Sequence, residues 1–305
     1  MHYIIADDTV IPPELRSYYD EKIISMPHSY FVNDHAQSSR FLLSEGNQVS
    51  SGEEGGESKQ QQVGEEEEPQ AEKTSSANDV VRRAQYGLSE DSFVFCNFNQ
   101  LYKITPALFD TWVRILKRVP NSVLWLLRFP GVAEENIMRE ARKRGLRYDQ
   151  IVFSDVVPKE EHLRRCVLAD LCLDTTSYNS HTTACDLLWA ATPIITCPGD
   201  KMASRVCASL LKACGMDELI VPSLVEYEEL ACTLATDTDK LYEMRNHLEK
   251  SRTNCAAFDT ARWVKNVEKA FDTIWEMNEK GVTFADVKVE DDAPIVVVAQ
   301  EELLG

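Results

Sequence analysis

The sequence holds no apolar run near the roughly 18 residues that a helix needs to cross a bilayer, which excludes a membrane span. Its start, Met1-His2-Tyr3-Ile4-Ile5, lacks the basic flank of a secretory signal. Positive charge is scarce: 32 Lys+Arg against 50 Asp+Glu give a net −18 over 305 residues. A nucleic-acid binder working through a broad basic face is therefore excluded, because backbone affinity needs clustered Lys and Arg. No two of the nine cysteines are separated by only two residues, so the paired spacing of a zinc site or dithiol redox motif is missing. Without a secretory signal these thiols read as reduced, intracellular and mostly buried as small hydrophobes. The 12 glycines form neither a G-x-G-x-x-G fingerprint nor a Walker-type phosphate loop. Nicotinamide cofactors and ATP hydrolysis are poor candidates for that reason.

What is present is ordinary in bulk, with 27% charged, 44% hydrophobic and 9% aromatic residues. Such a chain is globular and fits one large or two modest domains. The charge is uneven. Residues 45–72 carry nine acidic residues and Lys59, a net of −8, and the stretch from Ala285 onward a net of −5, which leaves −5 for the rest. Residues 1–36 read as folded: Tyr3-Ile4-Ile5-Ala6 is a buried strand, Pro12-Pro13 opens a short helix, and Ile23-Ile24-Ser25-Met26 is a second strand stopped by Pro27. Residues 37–85 turn to Ser, Gly, Gln and Glu, which cannot bury enough apolar surface to offset chain entropy. They predict a disordered acidic insertion. Residues 281–305 predict an acidic tail, in which Ile295-Val296-Val297-Val298 is a loose or docking strand.

Residues 86–280 alternate short apolar runs with helical periods. The strands are Phe93-Val94-Phe95-Cys96, Val123 to Leu127, Ile151-Val152-Phe153, Leu171 to Asp174, Pro193 to Thr196 and Leu219-Ile220-Val221. Between them lie a helix capped by Thr105-Pro106, one ending at Gly145, one begun by Pro158, one after His181 and one over 203–214. Strands apolar on both faces, alternating with helices, predict an α/β fold: a doubly wound, Rossmann-like parallel sheet covered on both sides.

Ligands of such sheets bind outside the carboxyl ends of the strands. Three of those ends are rich in chemistry. After the first comes Asn97-Phe98-Asn99-Gln100-Leu101-Tyr102-Lys103, an amide and an ammonium three residues apart. After the third comes Val157-Pro158-Lys159-Glu160-Glu161-His162-Leu163-Arg164-Arg165, whose Lys159, His162 and Arg165 fall close to one helix face. After the fourth, Asn179 and Ser180 are good N-caps for a helix whose free amides at 181–183 and two hydroxyls seat a phosphate, with Asp186 one turn on. Taken singly, these are a solvated helix face, an ordinary cap and a surface loop. Together they point to a phosphorylated ligand such as a nucleotide.

At these residues a resemblance emerges. Asn97-Phe98-Asn99-Gln100-Leu101-Tyr102-Lys103-Ile104, Val119 to Arg128, Pro158-Lys159-Glu160-Glu161-His162, and His181-Thr182-Thr183 with Asp186 resemble the carboxyl-terminal catalytic lobe of protein O-GlcNAc transferases across Tyr86 to about Lys280. Residues 3–35, ending Met26-Pro27-His28-Ser29-Tyr30-Phe31-Val32-Asn33-Asp34-His35, resemble the last piece of that family's amino-terminal catalytic lobe. The resemblance implies a GT-B fold with a partial amino-terminal lobe. It also implies inverting, metal-independent transfer of N-acetylglucosamine from UDP-GlcNAc to Ser or Thr hydroxyls of cytoplasmic and nuclear proteins, with no cofactor. Carried over, Val157, Lys159, His162 and Arg165 hold uracil and ribose, with Asp186 also on the ribose. Gln100, Lys103, His181, Thr182 and Thr183 surround the diphosphate, Lys103 neutralises the departing UDP, and Tyr102 lines the acceptor side.

Two departures stand out. The family's tetratricopeptide array and most of its first lobe are absent from this sequence, so the chain is expected to bind UDP as an incomplete enzyme. Tyr178 and Ser180 lie in the sugar pocket where animal members have Cys and Gly. A Tyr there is familiar in bacterial and SPINDLY-like relatives, which leaves open another sugar such as fucose, although SPINDLY-type O-fucosyltransferases lack the Lys-Glu-Glu-His stretch. The alternative class is a non-catalytic nucleotide-sugar-binding or scaffold protein.

Overall fold

A computed structural model describes residues 2–45, 82–282, 284–291 and 296–298. Most of the insertion expected over 37–85 lies outside the described residues; its two described ends are partly helical.

The first segment forms β1 (Tyr3–Asp7), a 3-10 turn at Pro13–Tyr18, β2 (Lys22–Met26), α1 (His35–Ser38) and α2 (Phe41–Glu45). The folded first segment thus continues past residue 36 through two short helices. The second runs β3 (Phe93–Asn97), α3 (Pro106–Arg118), β4 (Ser122–Leu127), α4 (Val132–Lys143), β5 (Ile151–Ser154), α5 (Lys159–Cys166), β6 (Leu171–Leu173), α6 (Thr182–Trp189), β7 (Ile194–Ile195) and α7 (Val206–Ala213). Then come α8 (Leu224–Thr236), α9 (Thr238–Ser251), α10 (Thr260–Glu279), β8 (Asp286–Lys288) and β9 (Val296–Val298).

Local chemistry sets these boundaries. Thr105 caps α3 by accepting the Leu108 amide, with Pro106 in the first turn. Gly145 stops α4 in the left-handed region at φ 79°, while its amide and that of Leu146 reach back to the carbonyls of Arg142 and Ala141. The α3 stripe of Leu108, Phe109, Trp112, Ile115 and Leu116 is buried as its period requires.

Strands β3 to β7 form one fully parallel sheet in the order β5-β4-β3-β6-β7. Leu219 to Val221, expected as a sixth strand, is instead a 3-10 turn at Asp217–Leu219 followed by one bridge from Ile220 to Thr196. The apolar triplet is buried or half-buried, but there is room for only one ladder pair. The second sheet has the order β1-β2-β8-β9. The acidic tail supplies β8, parallel to β2, and β9, antiparallel to β8. Val287 and Val289 are buried while Lys288 between them is exposed, a period-2 pattern inside an acidic stretch.

The two sheets share a core. Ala6, Val10, Ile11, Ile23 and Leu42 pack in one cluster with Phe95 and Trp125 of the five-stranded sheet and Trp189 of α6. Polar ties run across the same boundary. Ser209 Oγ donates to Asp7 Oδ2 at 2.7 Å, Arg205 Nη1 to the Val10 carbonyl at 2.9 Å, and Trp189 Nε1 to the Ser39 carbonyl at 2.9 Å.

Candidate functional site

In the five-stranded sheet the chain builds outward from β3 through β4 to β5, then returns to place β6 on β3's other side. A crevice opens at the carboxyl ends where the order reverses. It is a cleft of about 610 Å³ lined by the loops after β3, β5 and β6 and by the first turns of α5 and α6. Gln100, Tyr102, Lys103, Val157, Lys159 and His162 line it, as do Arg165, Tyr178, Thr182, Thr183 and Asp186. His181 does not. Its Nε2 lies 3.1 Å from the Ala203 carbonyl.

One corner is cationic and rich in free donors. Asn97, at the end of β3, donates to the Leu173 carbonyl of β6 and accepts the Asn99 amide. Asn99 Nδ2 then donates to Ser180 Oγ at 2.7 Å and to Thr175 Oγ1 at 3.1 Å, which clamps the two loops together. Lys103 Nζ reaches Asn99 Oδ1 at 3.3 Å and the Asn179 carbonyl at 3.2 Å, with the Tyr178 ring centroid 3.8 Å away. Half-burial lowers the Lys103 pKa, partly opposed by the charge of Asp174.

The expected caps of α6 do something else. Asn179 donates its Nδ2 to the Ser204 carbonyl, Ser180 Oγ accepts from Asn99, and His181 sits at the N-cap with no side-chain cap bond. The loop is ordered from below by Asp174, wholly buried, which accepts from the Thr175 and Ser180 amides at 2.8 Å and from Thr196 Oγ1 at 2.7 Å. Burial raises its pKa. Among the described residues the amides of Thr182 and Thr183 have no acceptor. Both residues line the cleft at the positive end of the helix, an arrangement suited to an anion.

The other corner is planar and less charged. Arg165, on the last turn of α5, is 1% exposed. Its Nη1 donates to the Asp155 carbonyl at 2.8 Å, its Nε donates to His162 Nδ1 at 3.0 Å, and its guanidinium lies over the Phe98 ring. Because His162 Nδ1 accepts, the ring proton belongs on Nε2, which points towards Asp186 Oδ2 at 3.6 Å. Burial, with the Arg165 charge adding to it, pushes the His162 pKa down to about 4 although Asp186 pulls the other way. The imidazole is neutral at pH 7. Lys159, at the start of α5, reaches Asp34 Oδ1 at 3.1 Å and Ser38 Oγ at 3.2 Å.

His35 was not foreseen. It is 1% exposed on α1, and its Nε2 lies 2.8 Å from Asp186 Oδ1 although the two are 151 residues apart. The first segment thus fixes one oxygen of this carboxylate and leaves the other towards His162. Only the motif Asn33-Asp34-His35 hinted at it, and no spacing in the sequence connects it with Asp186.

A cationic corner with free helix amides is thus joined to an aromatic-walled corner that holds a buried guanidinium, a neutral imidazole and a carboxylate. Together with the parallel sheet, this defines the carboxyl-terminal lobe of a GT-B-type glycosyltransferase fold. The chain belongs to glycosyl transferase family 41, whose model matches residues 1–67 and 47–267. It is 42% identical over 280 residues to the probable UDP-N-acetylglucosamine–peptide N-acetylglucosaminyltransferase SEC of Arabidopsis thaliana, covering 92% of this chain and 25% of that protein. With the UDP-N-acetylglucosamine–peptide N-acetylglucosaminyltransferase of Caenorhabditis elegans it is 45% identical over 215 residues, 70% of this chain and 19% of that protein. The chain therefore spans a quarter or less of the length of these relatives. A solved Thermobaculum terrenum O-GlcNAc transferase variant superposes with a TM-score of 0.66 at 21% identity, covering 92% of this chain and 46% of that one. An Anabaena protein solved with UDP and glucose gives 0.52 at 11% identity, covering 89% and 63%. At these identities the two structures speak for the fold.

Proposed function

We propose that this chain is the donor-binding part of a protein O-GlcNAc transferase, which moves N-acetylglucosamine from UDP-GlcNAc to Ser or Thr hydroxyls of cytoplasmic and nuclear proteins. The observation that carries the reading is the convergence of Lys103, the free α6 amides, Asp186 and the His162–Arg165 pair on one cleft at the switch point of the sheet. Uracil and ribose bind at Val157, Lys159, His162, Arg165 and Asp186. The diphosphate lies against Gln100, Lys103, Thr182 and Thr183. The acceptor hydroxyl attacks the anomeric carbon from the face opposite the nucleotide and gives up its proton to water, the bond from that carbon to the β-phosphate oxygen breaks, and the sugar is inverted. The electron pair leaves on UDP, where Lys103 and the helix amides neutralise it without a metal or other cofactor. Tyr102, exposed at the cleft mouth, lines the acceptor side. The parts of the relatives not represented here, the amino-terminal lobe and the tetratricopeptide repeats, supply the rest of the acceptor site.

Calorimetry with UDP on the 305-residue chain tests the reading. Binding that Lys103→Ala weakens by about tenfold or more supports it, since a charge-assisted contact to phosphate is lost. No binding at millimolar UDP overturns it.

A further inference from the structure

Among the described residues Lys103 has no carboxylate within ion-pair distance. Three uncharged groups hold its ammonium: the Asn99 side-chain oxygen, the Asn179 carbonyl and the face of the Tyr178 ring at 3.8 Å. A carboxylate partner would neutralise the charge, whereas an amide, a carbonyl and a ring quadrupole hold the cation and leave its charge to an incoming anion. Asp174, the carboxylate that acts on it electrostatically, is wholly buried beneath the loop and engaged by Thr175, Ser180 and Thr196.

The backbone that carries the ring is tied in place as well. The Tyr178 carbonyl accepts from Thr175 Oγ1 at 2.7 Å. The next residue, Asn179, donates its amide to the Ala203 carbonyl and its Nδ2 to the Ser204 carbonyl. The ring's own edge meets His181, with centroids 4.8 Å apart in a T-shape. A side chain that is 41% exposed thus extends over a half-buried cation from a backbone tied at the Tyr178–Asn179 peptide.

We propose that Tyr178 is the positioning residue for Lys103, its ring face holding an un-neutralised ammonium at the corner where the β-phosphate of the nucleotide lies. The inference rests on the reading of the cleft as a UDP site and adds to it what keeps the key cation in place. The phenol hydroxyl has no part in this role; the aromatic face carries it.

The test compares UDP with UMP on the full chain by calorimetry, since the two differ only in the β-phosphate. Tyr178→Leu should weaken UDP by about tenfold and leave UMP within about twofold, and Tyr178→Phe should keep the wild-type ratio. In a Lys103→Met background Tyr178→Leu should have no further effect on UDP. An unchanged UDP-to-UMP ratio in Tyr178→Leu overturns the proposal, as does tighter UDP binding, which would make the ring a competitor of the diphosphate. Should Tyr178→Leu lose both nucleotides, Tyr178→Met keeps the bulk without the ring, and an equal loss of both there assigns Tyr178 a structural role and overturns the proposal. Wild-type protein that binds neither nucleotide overturns the UDP reading itself, and the inference with it. Wild-type protein that binds UDP with a Tyr178→Leu ratio unchanged overturns the inference alone.

Discussion

His162 works as a neutral ring, and its neutrality has a consequence for stability. Its folded pKa of about 4 lies below the 6.5 of an unperturbed histidine, chiefly through burial. Between those values the unfolded chain binds the proton and the folded one does not, so stability falls as pH drops through this window. The loss attributable to His162 between pH 7 and pH 5 is about 2 kcal/mol. His181 is shifted the same way by burial and adds to the trend. Urea unfolding at the two pH values checks this: His162→Gln should flatten the dependence by that amount, and an equal slope in both proteins would refute the assignment. His35 makes a second prediction at this scale. Removing it by His35→Ala takes away the 2.8 Å partner that orients Asp186, so uridine and UDP should weaken together by about tenfold. A change in UDP alone would place its effect at the phosphates instead.

Among the elements, the loop between β6 and α6 depends most on what lies beneath it. Asp174 is the acceptor for two of its amides and for Thr196 Oγ1, all buried. Asp174→Ala strands those donors and should cost about 3 kcal/mol in urea unfolding, and Asp174→Asn, which keeps one acceptor oxygen, should cost less. Equal costs for the two would show that the charge, and not the acceptor geometry, orders the loop. The strands β3 to β6 and helices α3 to α6 were legible in the sequence because their apolar periods, Thr105-Pro106 and Gly145 act locally. The strand ends were legible as the lining of one cleft for the same reason, since the crevice of a parallel sheet opens there. What escaped was set by tertiary partners. Asn179 and Ser180 have the chemistry of helix caps, but Ser204 and Asn99 claim their side chains first. The triplet Leu219 to Val221 has strand composition without a ladder to join, and β8 hides its buried Val287 in an acidic stretch. His35 was invisible because its partner is 151 residues away.

At the scale of the whole molecule the first segment is part of the same folded body as the five-stranded sheet. β1 and β2 share their core with the larger sheet, and the link is concentrated at Asp7. That carboxylate is 2% exposed and accepts four bonds, from the amides of Thr9, Val10 and Tyr30 and from Ser209 Oγ on α7. Three of these donors belong to the first segment and the fourth to the second. Asp7→Ala leaves them unpaired in an interior that water does not reach, at a cost of about 3 kcal/mol. If the segments unfold as one cooperative unit, that cost must appear in the five-stranded sheet and its helices as well. Trp112, Trp125 and Trp189 are fully buried there and report on it by fluorescence. Their midpoint in urea should fall by about 1 M, the cost divided by a slope near 3 kcal/mol per molar. A circular dichroism signal from the whole chain should shift by the same amount. Were the tryptophan midpoint unchanged while part of the dichroism signal was lost earlier, the first segment would be a separate unit. His35 would then reach Asp186 only as long as that unit stayed docked, and nucleotide binding in Asp7→Ala would weaken in step with the early transition.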